Sequence, residues 1–489
     1  MKKIVQICLI VNIALSAESF EETRNRINSD FKATQIKIEK DFKIIQSRID
    51  KDFGEALKHG WKNYRSTKVP SQYKRPKPIV IPAPMIVPKK QKDMTPKIII
   101  PRIKPIIKPR SVIVPRPLNV PQQYKRVNFD FYGVNVKLLY NPKLHYHIPV
   151  VDKNSLSKYW NYASSHEVEI LLKQLRSYKE QIRLNDWHLY LFVQELSKHI
   201  AQDRNNANLL TWFLMNKMDY DIQLGFNQTQ VVLLPRILQQ MFTAMRYMIG
   251  GYNYWNLLDN RSLAVYATPA HRAGGKGLNL AYNSVPNLPL NAKRKILSFN
   301  DNGQHYNISL TYNENIARLY DNYPTLEWKY LFKTPVSNEI KQSLYPQLLT
   351  IMKNKTELQA VNFLLHLTQL SFKYKTDHEQ FGREKYFFFE ESLYFPYNDC
   401  EDRSIFFGKL VKELLGLNVV ALHYPNHLAT AVKFTSNVKG DSVFYNGRKY
   451  VVADPTYFYE GQGRGANVGI KMPQFKGVKA LNIIPVEIN

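Results

Sequence analysis

Cysteine is almost missing from this sequence: among 489 residues only Cys8 and Cys400 carry a thiol. Cys8 lies in a short apolar stretch behind Lys2 and Lys3, so a chain that loses that stretch keeps a single thiol. One thiol excludes an intramolecular disulfide; in an oxidising compartment it is either an inert buried residue or a reactive one. Long apolar runs are missing as well. The apolar stretch at 4–14 falls short of the roughly 20 residues a membrane-spanning helix needs, and nothing later is long and apolar enough. Acids are scarce in one place, 65–126, where 16 Lys and Arg face only Asp93. This segment holds +15 of the formal +28, so the basic excess is local and does not mark the whole chain as a nucleic-acid binder.

What is present begins with a leader pattern. A basic start, the apolar stretch and Leu15-Ser16-Ala17 before Glu18 predict an export signal at 1–17, hence a periplasmic or secreted location in which nucleic acid is not an expected partner. Phe20, Phe31, Phe42 and Phe53 then recur every 11 residues, and Ile27, Ile38 and Ile49 share the period. Eleven residues in three turns, about 3.67 per turn, keep an apolar stripe on one helix face. This predicts a coiled-coil helix in the unit 18–65, its helical part near 20–58 about 60 Å long. So narrow a stripe implies a partner helix, either a second copy or another envelope protein.

Thirteen of the 27 prolines fall between Pro70 and Pro121. Proline at that density excludes helix and central strand, and predicts a basic proline-rich linker at 66–127 reaching up to about 160 Å. Two similar strings, Val69-Pro70-Ser71-Gln72-Tyr73-Lys74-Arg75 and Val120-Pro121-Gln122-Gln123-Tyr124-Lys125-Arg126, bracket it. A solvated spacer is the plain reading. A tether to an anionic envelope polymer or membrane surface, or Ile/Val stretches adding to a partner's sheet, are the sharper ones.

The globular part begins near Asn128. Alternation over 129–136 predicts a strand; helical periodicity runs through 156–199 and again over 207–218, with strand-like runs at 220–226, 231–235, 262–268 and 305–311. We therefore expect an α+β region at 128–345. His145 and His147 could share one strand face, but no carboxylate or cysteine stands at ligand spacing, so neither a metal nor a cofactor is assigned.

The chemistry concentrates in 346–489. A helix is expected over 360–372, and Asn398 or Asp399 caps another whose first turn holds Cys400 and whose buried face carries Ile405, Phe406, Leu410 and Leu414 up to Gly416. A thiol there feels the positive end of the helix dipole, while Glu401 and Asp402 oppose a thiolate and Arg403 offsets part of their charge. His427 follows a turn at Tyr424-Pro425-Asn426 and opens a strand with one buried side; Asn446-Gly447 marks a hairpin, and the next strand ends at Asp454. Adjacent strands would set His427 beside Asp454, with Cys400 as nucleophile, His427 as base and then acid, and Asp454 orienting the imidazole.

The strings Asp399-Cys400-Glu401-Asp402-Arg403-Ser404, Tyr424-Pro425-Asn426-His427-Leu428-Ala429-Thr430-Ala431-Val432 and Val452-Ala453-Asp454-Pro455-Thr456-Tyr457 resemble the bacterial transglutaminase-like superfamily. The resemblance covers roughly 360–459 and implies a papain-like core, a helix packed on an antiparallel sheet, with the triad Cys400, His427 and Asp454. It fixes no further oxyanion donor; Gln380 and Tyr397 are candidates. The function expected from it is an exported cysteine protease, amidase or transglutaminase acting on envelope protein or peptide through a thioester. The alternative is a structural scaffold of a periplasmic assembly whose triad is idle.

Overall fold

The phenylalanine repeat forms one helix, Lys2–Ala56, in a computed structural model that describes residues 2–70, 95–98, 123–201, 203–227, 229–257, 264–268, 275–459 and 464–488. The expected leader makes up its first turns, and no helix among the described residues is long and apolar enough to cross a membrane. Its last turns pack on the globular region. Phe53 meets Trp160 edge-on at 4.8 Å between ring centroids and Trp212 at 5.9 Å, while Ser157 donates to the Gly54 carbonyl at 2.6 Å. The helix ends at Ala56; Lys62–Arg65 is a strand paired antiparallel with Ala264–Ala267, and Thr67–Lys68 pairs with the strand Met245–Ile249.

Most of the expected linker lies outside the described residues, but a free spacer over all of 66–127 needs correction. Residues 95–98 are docked on the N-terminus of the helix Glu357–Ser371. Thr95 Oγ1 accepts from Leu358 N at 3.0 Å and the Pro96 carbonyl from Glu357 N at 2.9 Å, while Ile98 N donates to the Lys355 carbonyl at 3.2 Å. A helix start has backbone donors without internal acceptors, and these residues supply them.

The single strand expected at 129–136 is a hairpin, Lys125–Phe131 with Val134–Tyr140, turning through Tyr132 and Gly133 at φ 49° and 83°. The long helical stretch splits into Lys153–Ser164, Glu169–Ile182 and Asp186–Ile200. Asp152 and Asn185 accept from backbone N–H groups at the first and third starts, and Arg183 ends the second in a left-handed conformation. His145 and His147 follow the short turn Pro142–Leu144 and do not sit on a strand.

The C-terminal region contains a five-stranded antiparallel sheet ordered Ser442–Tyr445, Arg448–Ala453, His427–Lys433, Asn418–Tyr424 and Asn482–Pro485. The helix Cys400–Leu410 packs on it and the helix Glu357–Ser371 packs on that helix, giving the expected α+β mixture. The His427 strand is buried on both faces, where one was expected. Leu428 and Val432 join the main core, while Ala429 and Ala431 pack with Leu422, Tyr450 and Val452 beneath Phe475 and Ile483 of the chain's last segment.

Candidate active site

Two tight turns and one strand pairing place the imidazole. Pro425 and Asn426 reverse the chain so that Tyr424 pairs with His427; Asn426 takes φ 62°, a left-handed value that asparagine tolerates. Asn446 and Gly447, at φ 47° and 70°, turn Ser442–Tyr445 into Arg448–Ala453. This last strand pairs with the His427 strand, Thr430 opposite Ala453, so Asp454 emerges beside His427. His427 Nε2 lies 2.8 Å from Asp454 Oδ2. Asp454 Oδ1 accepts from Thr456 N at 3.0 Å, its carbonyl accepts from Gln369 Nε2 at 2.8 Å, and the imidazole stacks on Phe475 at 5.1 Å and 7°. The bond to Asp454 occupies Nε2 and makes Nδ1 the ring atom that can serve another partner.

The thiol is carried by a helix. Cys400 is the first residue of its helix, capped by Asp399, whose N–H donates to Asp402 Oδ2 at 3.1 Å. One turn on, Ser404 donates to the Leu428 carbonyl at 2.9 Å and ties this helix face to the residue after His427. Residues four apart share a helix face, so Cys400 belongs to that same face. Cys400 is buried, and its Sγ donates to Glu401 Oε2 at 2.7 Å.

The charges around it are held by backbone groups. Arg403 donates to the carbonyls of Gln369 at 3.3 Å and Phe372 at 2.7 Å, with its guanidinium 5.4 Å from the Tyr374 ring. Burial lowers Arg403 to about 10, an effect opposed by Tyr374, Asp399, Asp402 and Cys400. Asp402 is pushed well above the usual carboxylate range, by burial first and then by Asp399, Asp377 and Glu401. Oxygens of Asp377, Asp399 and Asp402 lie within 4.8 Å of one another. These carboxylates already anchor loops: Asp377 accepts from Lys385 N at 2.7 Å and Asp402 from Phe387 N at 3.0 Å.

Sequence reasoning missed Gln369, Phe475 and the direct Cys400–Glu401 contact. It also missed a second, part-buried pair, His366 Nδ1 with Asp301 Oδ1 at 2.7 Å. No signal in the sequence joins residues 65 apart on a hairpin end and a helix. Of the two oxyanion candidates, Gln380 has a buried side-chain amide without a hydrogen-bond partner, and Tyr397 pairs with Lys373 in a two-stranded parallel ladder. His147 faces Asp203 at 3.3 Å and Asn206 at 2.9 Å.

Compared with known proteins, the chain matches no family model, no curated protein and no solved structure.

Proposed function

We propose that this chain is an exported cysteine enzyme of transglutaminase-like type, with a papain-like core, that acts on amide bonds of envelope protein or peptide. The observation that carries the reading is the His427–Asp454 pair, set on neighbouring strands beside the helix whose first residue is Cys400. In the proposed step Nδ1 of His427 takes the thiol proton, Sγ bonds to the carbonyl carbon, and the C–N bond breaks as the imidazolium protonates the leaving amine. Water, or an amine in a transglutaminase, then attacks the thioester and gives its proton to His427. The S–C bond breaks and the thiolate recovers that proton. Asp454 keeps the imidazole oriented and stabilises its cationic form, and the helix start offers partial positive charge to the developing anion.

The Sγ–Glu401 bond favours a second reading, an idle site in a structural protein, because a carboxylate at the thiol opposes the thiolate. Alkylation separates the two readings. The enzyme reading expects Cys400 to react rapidly with iodoacetamide at neutral pH and to slow at least about tenfold in His427→Ala. Slow labelling that is indifferent to His427 overturns it. Proteomics of cells carrying wild type or Cys400→Ala then identifies the cleaved or cross-linked proteins.

A further inference from the structure

The 11-residue repeat meets two environments along one helix. Phe53 is 5% exposed, whereas Phe42 is 58% and Phe31 71% exposed, with Ile27 and Ile38 equally bare. The fourth repeat departs from the others where it docks. Lys32 and Lys43 follow their phenylalanines, but Gly54 follows Phe53, and a Cβ there would overlap the Asn161 side chain. The described residues therefore cover Phe53 and leave the stripe at 27–45 bare. Packing of the apolar face supplies most of a helix's stability, so that stripe calls for a cover.

Charge and period identify the cover. Residues 21–45 hold six Lys and Arg and five Asp and Glu in a chain of net charge +28. A mixed, nearly neutral surface matches its own copy, where the basic remainder of the chain would repel one. A second copy also carries the same 11-residue period, so its stripe stays in phase over the whole seam. Sterics set the direction. From Ile49 onward the stripe face is occupied by this chain's own helices Lys153–Ser164 and Arg204–Lys217, with Asp50 buried against Lys217. Parallel copies in register would drive both globular regions into the seam, whereas antiparallel copies hold them at opposite ends.

We propose that residues 27–45 form an antiparallel seam with a second copy of this chain, Ile27 facing Phe42 and Phe31 facing Ile38 across it. Light scattering on the full chain tests the seam, and cysteine pairs test its direction. Wild type is expected at twice the chain mass, and Phe31→Glu with Phe42→Glu at the single mass. The melting temperature of the globular region should not move, because both side chains are exposed. In a Cys8→Ser, Cys400→Ser background, a mixture of Ile27→Cys and Phe42→Cys chains is expected to oxidise mainly to the mixed dimer. A wild type of single-chain mass at about 100 µM, well above the micromolar range of ordinary specific association, overturns the seam. Same-position links between two Ile27→Cys chains overturn its direction.

Discussion

His427 with Asp454 is buried and His366 with Asp301 part-buried, and the two contacts are nearly equal in length, 2.8 Å and 2.7 Å. They differ in what surrounds them. Asp454 follows a strand, its two carboxylate oxygens divided between Thr456 N and the imidazole, and the residue after His427 accepts through its carbonyl from Ser404 of the helix that begins at Cys400. Asp301 ends one arm of the hairpin Ala292–Asp301 with Gln304–Asn313, and its bond to His366 fixes the hairpin end on the helix Glu357–Ser371. His366 Nε2 is buried without a hydrogen-bond partner. A histidine–aspartate pair is thus not by itself a site; the group within reach of the other nitrogen decides. The second pair still supports the first, because Gln369, three residues on from His366 in the same helix, donates to the carbonyls of Asp454 and Ala466.

The widest separation is expected from removing the two aspartates in turn. Asp454→Ala should slow alkylation of Cys400 by about 10- to 100-fold, since it removes the group that orients the imidazole and a misplaced catalytic group loses rate steeply. Asp301→Ala should leave alkylation within about twofold, and should cost about 1–3 kcal/mol by denaturant titration for the part-buried bond it breaks. Equal slowing in both variants would erase the distinction. Gln369→Leu lies between them. It removes the donor behind Asp454 without touching the pair, and a displaced catalytic group loses rate steeply, so alkylation should fall about tenfold with the His427 dependence intact. An unchanged rate would show that the Asp454 loop holds its position without the glutamine.

The parts of this arrangement that could be read in the sequence rest on local signals. Asp399 before an apolar-faced run gives the helix start, Pro425-Asn426 and Asn446-Gly447 give the turns, and strand adjacency then brings His427 to Asp454. Where the sequence misled, a local pattern hid a change of direction or a tertiary contact. Alternation over Phe129 and Phe131 resumes at Val134 and Val136 with its phase shifted by one, a slip at Tyr132-Gly133 that the expectation of one strand passed over. Proline content excludes regular structure from 66–127 but cannot exclude docking, and residues 95–98 dock chiefly through backbone groups and one hydroxyl. Gln369 and His366 sit on a helix whose apolar pattern says where the core is, while their partners come from far along the chain.

The smallest expected effect concerns the feature that most separates the first pair from a ready nucleophile. Glu401 accepts the thiol hydrogen bond, which favours the protonated sulfur, and its negative charge opposes the thiolate that His427 would stabilise. Glu401→Gln keeps the shape, removes the charge and replaces one acceptor oxygen with an amide that can donate to a thiolate. Alkylation at neutral pH should rise by about fivefold, the size of a partly screened interaction of roughly 1 kcal/mol, and half-maximal rate should move to lower pH. His427→Ala added to Glu401→Gln should abolish most of that gain, because the proposed base that takes the proton from sulfur is gone. A rise that survives in the double variant would mean that Glu401, and not the His427–Asp454 pair, governs the state of Cys400.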